Sequence, residues 1–326
     1  MPREEREMPR SKAAKLQVTE SDLDLLVNLA ECRFLTTAQM AALLNRNDKA
    51  LSRRLRALKT GDIVRSTRQS SRGIPGSPPH VWCMGEVGLA HLKAGGRAQE
   101  DAAFDLFSAR QIDCVDHELL VSEFRVQSTQ LPAVVSALAS RFLTSRSWAL
   151  QAPGIHPAPR LYEPADPETQ GTTEFVPDGV LLLRHAERGK TLLFFLEVDM
   201  GTEPLRSPRS GVDLDTKIRN YRHLFAAGKY RRYEALAGSP LKGFRLLVVC
   251  GNSARLARLL PLARRSGPCD FVWATDCDRM IQAGIWGPIW HKASHDGPQS
   301  ESILGGAAPV SFPRPRDVAV PTHATS

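Results

Sequence analysis

Residues 48–67 read DKALSRRLRALKTGDIVRST. Leu51, Leu55 and Leu58 recur at i, i+4 and i+7, the spacing that brings side chains onto one face of an α-helix. Lys49, Ser52, Arg53 and Arg56 fall on the opposite face. One side is therefore apolar and free to pack, and the other is cationic. Asp48 is placed to cap the N-terminus of a helix over 49–59, and Gly61 to end it. Ile63–Thr67, rich in β-branched residues, reads as a short strand.

Working outward from this segment, Thr19 is placed to cap a helix carrying Leu23, Leu25, Leu26 and Leu29. Thr36 or Thr37 caps a second, with Met40, Leu43 and Leu44. After the strand comes a Ser/Gly/Pro-rich loop, Gln69–Pro79, then a second strand, Val81–Met84, and the start of another helix at Gly88–Leu92. Three helices followed by a two-stranded ribbon is the order of a winged helix-turn-helix. A third helix with a buried apolar side and a free cationic side suits insertion into a DNA major groove between phosphates. Arg65, Arg68 and Arg72 lie along the wing, where a neighbouring backbone is within reach. A solvated basic helix in a protein–protein module would show the same faces.

Charge agrees with the nucleic-acid reading. The 326 residues carry a net charge of +8, and residues 1–100 hold 17 Lys and Arg against 11 Asp and Glu. The excess sits where the helical module sits. Six cysteines (Cys32, Cys83, Cys114, Cys250, Cys269, Cys277) lack CxxC spacing, which argues against a zinc ribbon or a disulfide framework. No apolar run is long enough to span a bilayer, and the first residues lack the apolar core of a signal peptide, so no membrane partner and a cytoplasmic location are expected. Residues 1–17 and 293–326 are poor in large apolar side chains and are expected to be a disordered arm and tail. The organisation expected is a winged helix over 18–95 and a second domain over 104–292, with a Pro-rich loop at Gln151–Gly171.

In the second domain, a long helix is expected over about Ser108–Ser128, with His117 and Glu118 in its middle. The main chemical signal lies in the hairpin formed by residues 175–184 and 191–199. A turn centred between Glu187 and Arg188 pairs residues whose numbers sum to 375, so Asp178 falls opposite Glu197. Glu197 and Asp199, two apart, share a face. Three carboxylates thus converge at the end of a strongly apolar strand, an oxygen-rich arrangement that suits Mg²⁺ or Mn²⁺. Acids at a solvated strand end, paired with nearby Lys or Arg, are the alternative. Lys217, beside the apolar stripe Leu214, Ile218, Tyr221 and Phe225 of the next helix, can reach them. A strand at Phe244–Cys250, a helix at Ser253–Arg265, a strand at Phe271–Ala274 and a helix from about Asp276 complete a mixed α/β order. Trp286 and Trp290 are expected to pack against the sheet, and His117 to be an internally satisfied helix residue.

Pro177-Asp178, eighteen residues, then Glu197-Val-Asp199 resembles the core of the PD-(D/E)xK nucleases. The chain departs from that pattern because Asp199 stands where the lysine belongs. Some members carry the lysine on the following helix, the position of Lys217. More broadly, the chain resembles the replication-relaxation family of plasmids and other mobile elements. The resemblance rests on Arg33-Phe-Leu-Thr-Thr-Ala-Gln39, Arg53-Arg54-Leu55 with Gly61, Glu197-Val-Asp-Met-Gly-Thr-Glu203, Lys217 with Tyr221, and Gly284-Ile-Trp-Gly-Pro-Ile-Trp290.

The resemblance implies an α/β protein: an N-terminal winged helix-turn-helix followed by a mixed α/β restriction-endonuclease-like domain, acting in plasmid replication and DNA relaxation. The expected partner is double-stranded DNA, with a homodimer an open option. Two readings of the second domain follow. It is a scaffold that the winged helix docks on DNA, in replication or in transcriptional regulation. Alternatively it is an Mg²⁺- or Mn²⁺-dependent endonuclease or nickase, with Asp178, Glu197 and Asp199 as ligands, Lys217 assisting and Glu118 completing the site.

Overall fold

The structure, a computed structural model, describes residues 16–68, 80–108, 115–150, 160–165, 174–201, 213–305, 308–309 and 311–318. The N-terminal module has the expected order. α1 (Glu20–Cys32) opens on a capping box in which the Thr19 N–H and hydroxyl both donate to Asp22. β1 (Leu35–Thr36), which has no signal in the sequence, leads into α2 (Thr37–Leu44), and α3 spans Asp48–Thr60. The N-cap of α3 is Asn47 and not Asp48: Asn47 Oδ1 accepts from the amides of Lys49 and Ala50. Asp48 is left in the first turn, where its charge complements the helix dipole. Gly61 ends the helix as expected. β2 (Val64–Arg68) and β3 (His80–Met84) form the wing, and β1 joins β3 to give an antiparallel sheet of order β1-β3-β2. α4 (Glu86–Ala94) closes the module over a core built on Leu25, Leu26, Leu29, Leu55, Leu58 and Leu92.

After the short α5 (Phe104–Phe107), α6 runs Val115–Val134. It ends later than expected, and His117 and Glu118 lie in the first turn of its described part. It also passes through Pro132, which cannot donate to the Ser128 carbonyl one turn earlier. The Ser140 hydroxyl fills that vacancy, donating to Ser128 O at 2.6 Å. Ser140 belongs to β4 (Leu138–Leu143), an antiparallel edge strand absent from the sequence reading. The two short strands β5 (Glu163–Pro164) and β6 (Glu174–Phe175) pair with each other; β5 falls within the stretch expected to be loop.

β7 (Gly179–His185) and β8 (Lys190–Asp199) form the hairpin in the expected register, Gly179 opposite Leu196 and His185 opposite Lys190. α7 (Leu214–Ala226) and the short α8 (Glu234–Ala237) follow, then β9 (Phe244–Cys250), α9 (Ser253–Arg265), β10 (Val272–Asp276), α10 (Cys277–Ala283) and β11 (His291–Lys292). The sheet order is β11-β10-β9-β8-β7-β4, parallel at β8–β9 and β9–β10 and antiparallel elsewhere. α7 and α9 pack on one face, burying Ile218, Tyr221 and Leu259 against Phe195 and Val248. Leu224 takes the buried place on α7 that was assigned to Phe225, which is 40% exposed. α6 and α10 cover the other face with Trp286 and Trp290, both fully buried.

The tail is not detached as expected. Ala293, Ile303 and Leu304 are buried, and Phe312 and Val318 pack against the core. Buried polar groups draw it in: Trp286 Nε1 donates to Pro313 O, and Gln130 Nε2 to the carbonyls of Pro315 and Val318. The winged helix is docked as firmly. Phe34, Val81 and Cys83 form a buried cluster with Leu119 of α6, and Ser122 Oγ donates to Phe34 O at 2.8 Å. No helix among the described residues is long and apolar enough to cross a membrane.

Candidate functional site

On α3 the three leucines are buried, while Lys49, Arg53 and Arg56 are exposed and Ser52 is half-buried. The remaining cations of the helix are committed elsewhere. Arg54 donates to Asp22, and Lys59 to the Ser66 hydroxyl. Lys49, Arg53 and Arg56 make no ion pair among the described residues. Arg65 of the wing departs from expectation: its Nε and Nη2 grip Asp62, each at 2.7 Å, and Glu86 lies 3.8 Å away. The pair stands at the surface, Arg65 40% and Asp62 45% exposed. The side chain of Arg68 and the whole of Arg72 lie outside the described residues, as do Cys114, Thr202 and Glu203.

The second cluster forms at the start of β7, the end of β8 and the neighbouring ends of α6 and α7. The register that sets Gly179 opposite Leu196 brings Asp178 beside the end of β8, where Asp178 Oδ2 accepts from the Val198 amide at 2.7 Å. His117 Nε2 lies 3.2 Å from the same oxygen. Glu197, 2% exposed, accepts from the Tyr221 hydroxyl at 2.6 Å and from Lys217 Nζ at 3.1 Å. Tyr221 and Lys217 sit one turn apart on α7, so a single helix face presents both donors. A pocket of about 60 Å³ opens here, lined by His117, Glu197, Asp199, Met200 and Lys217 among others.

The electrostatics separate the two carboxylates. Burial pushes the Glu197 carboxyl up to about 7; Lys217 opposes the rise and the Asp178 charge adds to it. Burial also acts to raise Asp178, but the hydrogen bond and charge of His117, the charge of Lys217 and the Val198 amide outweigh it and hold that carboxyl below its ordinary value. Burial acts to lower His117, and its hydrogen bond to Asp178 reverses this, so the imidazole binds its proton more tightly than usual. Burial and the Glu197 charge raise the Tyr221 hydroxyl. The arrangement is therefore an ionised Asp178 against a readily protonated His117, beside a Glu197 that titrates near neutrality.

Asp178, Glu197 and Lys217 are thus brought together as expected; Asp199 and Glu118 are not part of that group. Both oxygens of Asp199 are held by Arg255 of α9, Nε at 2.6 Å and Nη2 at 3.0 Å. Glu118 turns toward Arg33 and Arg146, each 3.6 Å away. As a three-carboxylate metal set the strand end therefore does not fit. Among the described residues no group of three or more His, Cys, Asp or Glu side chains is gathered closely enough to hold a metal. Asp178 and Glu197 are the carboxylates that remain at the pocket, and each already has a partner, Asp178 in His117 and Glu197 in Lys217 and Tyr221. The sequence reading left out three contributors. Tyr221 is expected only to pack in the core and His117 only to be an internally satisfied helix residue, whereas each aims a polar atom at a carboxylate of the cluster. Arg255 lies 56 residues beyond Asp199, in a helix with no acidic residue, the one signal that could have flagged it.

A family model described as replication-relaxation matches residues 26–238. No curated protein matches the chain. Among solved structures, a zinc-responsive MarR family member of Lactococcus lactis, ZitR, is 19% identical, with 26% of this chain and 55% of that one covered and a TM-score of 0.22. The wild-type ZitR structure in complex with DNA is 21% identical, covering 25% of this chain and 52% of that one, with a TM-score of 0.20. The chain spans about half the length of the solved structures it matches.

Proposed function

The chain belongs to the replication-relaxation family, and on that premise we propose that it is a DNA-binding protein of plasmid or mobile-element replication, whose winged helix carries a nuclease-like domain to double-stranded DNA. The observation that carries this reading is the face of α3. Its leucines are buried, its N-terminus is capped, and Lys49, Arg53 and Arg56 project as exposed cations without an acidic partner among the described residues. An α-helix with that face fits the major groove, and its charges meet phosphates on either side. The test is binding of a random-sequence duplex by the intact chain and by the Arg53→Ala, Arg56→Ala variant. Equal affinity of the two proteins removes α3 from the DNA interface.

A second reading, phosphodiester cleavage, is favoured by the strand-end geometry. Asp178 and Glu197 lie across one hairpin and Lys217 reaches Glu197 from the next helix. Asp178 and Glu197 are the residues that would hold Mg²⁺ or Mn²⁺, which when bound supplies an activated water and a clamp on the scissile phosphate. Lys217 places a positive charge beside the pocket, where negative charge develops on a phosphate under attack. His117 orients Asp178, and Tyr221 orients Glu197. Supercoiled plasmid incubated with the protein and either cation tests this reading. Nicking that is lost in Asp178→Ala and in Glu197→Ala supports it, and intact plasmid with retained binding removes it.

A further inference from the structure

We propose that the groove between α7 and α9 is a second seat for the DNA phosphate backbone, separate from the winged helix. α9, SARLARLLPLARR, holds four arginines and no acid. Two of the four are used internally: Arg255 holds Asp199, and Arg264 pairs with Asp296 at 2.9 Å and donates to His295 O. Arg258 and Arg265 are exposed and make no ion pair among the described residues. They are seven apart, two turns on one face, so they stand in a row along the helix.

The opposite wall of the groove is α7, which contributes Arg219. The groove has a volume of about 750 Å³ and a floor that includes Pro261 and Leu262. Among its described residues the one carboxylate, Asp215, is buried and already engaged by the Ser266 hydroxyl and by Arg219 at 3.8 Å. Beside Ser266, Arg222 lies against Gly267 and donates through Nε to Pro268 O, while its buried Nη2 lacks a hydrogen-bond partner among the described residues. Among its described residues the groove carries a net positive charge, and its donors are planar guanidiniums suited to paired phosphate oxygens. A chain of phosphates is the ligand that matches a row of arginines along an open groove. The choice of DNA as the source of those phosphates rests on the reading of the winged helix; the groove itself does not.

The experiment is a fluorescence anisotropy titration of a random-sequence duplex with the intact chain over roughly 50–200 mM salt. It compares wild type with Arg258→Ala plus Arg265→Ala, with Arg53→Ala plus Arg56→Ala, and with all four substitutions. Each lost phosphate contact lowers the log–log salt slope by about 0.9, so the α9 pair is expected to lower it by about 2 and the four together by about 4. Both α9 side chains are exposed, and far-UV circular dichroism checks the fold. If the alanine pair fails to fold, the glutamine pair is titrated in its place. A slope equal to wild type in the α9 variant overturns the proposal, and a simultaneous loss in the α3 variant leaves the winged helix standing. Loss in the α9 variant alone upholds the groove and overturns the role of α3.

Discussion

Arg255 holds Asp199 through two nitrogens, Nε at 2.6 Å and Nη2 at 3.0 Å, and both side chains are more than nine-tenths buried. Asp199 is the last residue of β8 and Arg255 lies in the first turn of α9, so the pair pins the end of the central strand to the helix beside it. A carboxylate expected to bind metal is instead part of the frame. Removing one partner leaves the other charge buried and unpaired. Arg255→Ala is therefore expected to destabilise the protein by about 3–5 kcal/mol, measured by urea unfolding. A cost under about 1 kcal/mol would return Asp199 to the list of free ligands.

The carboxylates of the cluster give stability a defined pH dependence. Glu197 has a folded pKa raised to about 7, so between the ordinary carboxylate range and that value the folded chain keeps a proton that the unfolded chain has lost. Stability falls as pH rises across that window, by up to about 1.4 kcal/mol per pH unit. His117, also raised, contributes fully below the ordinary imidazole value and loses its contribution as pH rises through the raised one. Asp178, lowered, contributes above its ordinary value and loses its contribution as pH falls through the lowered one. Unfolding free energy measured from pH ~5 to ~8 should decline, and Glu197→Gln should flatten the decline. A flat wild-type profile would contradict this.

The Tyr221 hydroxyl donates to Glu197 at 2.6 Å and so favours the ionised carboxylate. Tyr221→Phe keeps the ring packing and removes that donor. The expected result is a loss of about 1–3 kcal/mol and an upward move of the pH window assigned to Glu197. Equal pH profiles for the two proteins would show that the hydrogen bond does not control Glu197.

The legible and illegible parts of the site differ for a physical reason. Hydrophobic period and turn residues are local, so α3, β9 and α9 could be read directly, and the hairpin register that sets Gly179 opposite Leu196 followed from the position of one turn. Partner choice is not local. Asp199 looks like a ligand until α9 folds back to bring Arg255, 56 residues later, against it. Likewise β4 is a half-buried edge strand without clear alternation, and the tail is anchored by the carbonyls of Pro313, Pro315 and Val318, groups that every residue carries. The period of α7 placed Tyr221 in the core correctly but could not show where its hydroxyl points.

Phe34, 2% exposed, packs with Val81, Cys83 and Leu119 where the winged helix meets α6. Because α6 also carries His117, this contact links the winged helix to the carboxylate cluster through one helix. Phe34→Ala is expected to cost about 3–5 kcal/mol and to split thermal unfolding into two transitions as the module loses its seat. A single, equally cooperative transition would show that the two parts are held by other contacts.

The central claim is that α3 reads DNA, and the salt dependence of duplex binding tests it most directly. For the intact chain, Arg53→Ala plus Arg56→Ala should weaken binding at ~100 mM salt and lower the log–log salt slope by about 2, while circular dichroism stays unchanged. Binding of unchanged affinity and unchanged slope in that variant would contradict the account.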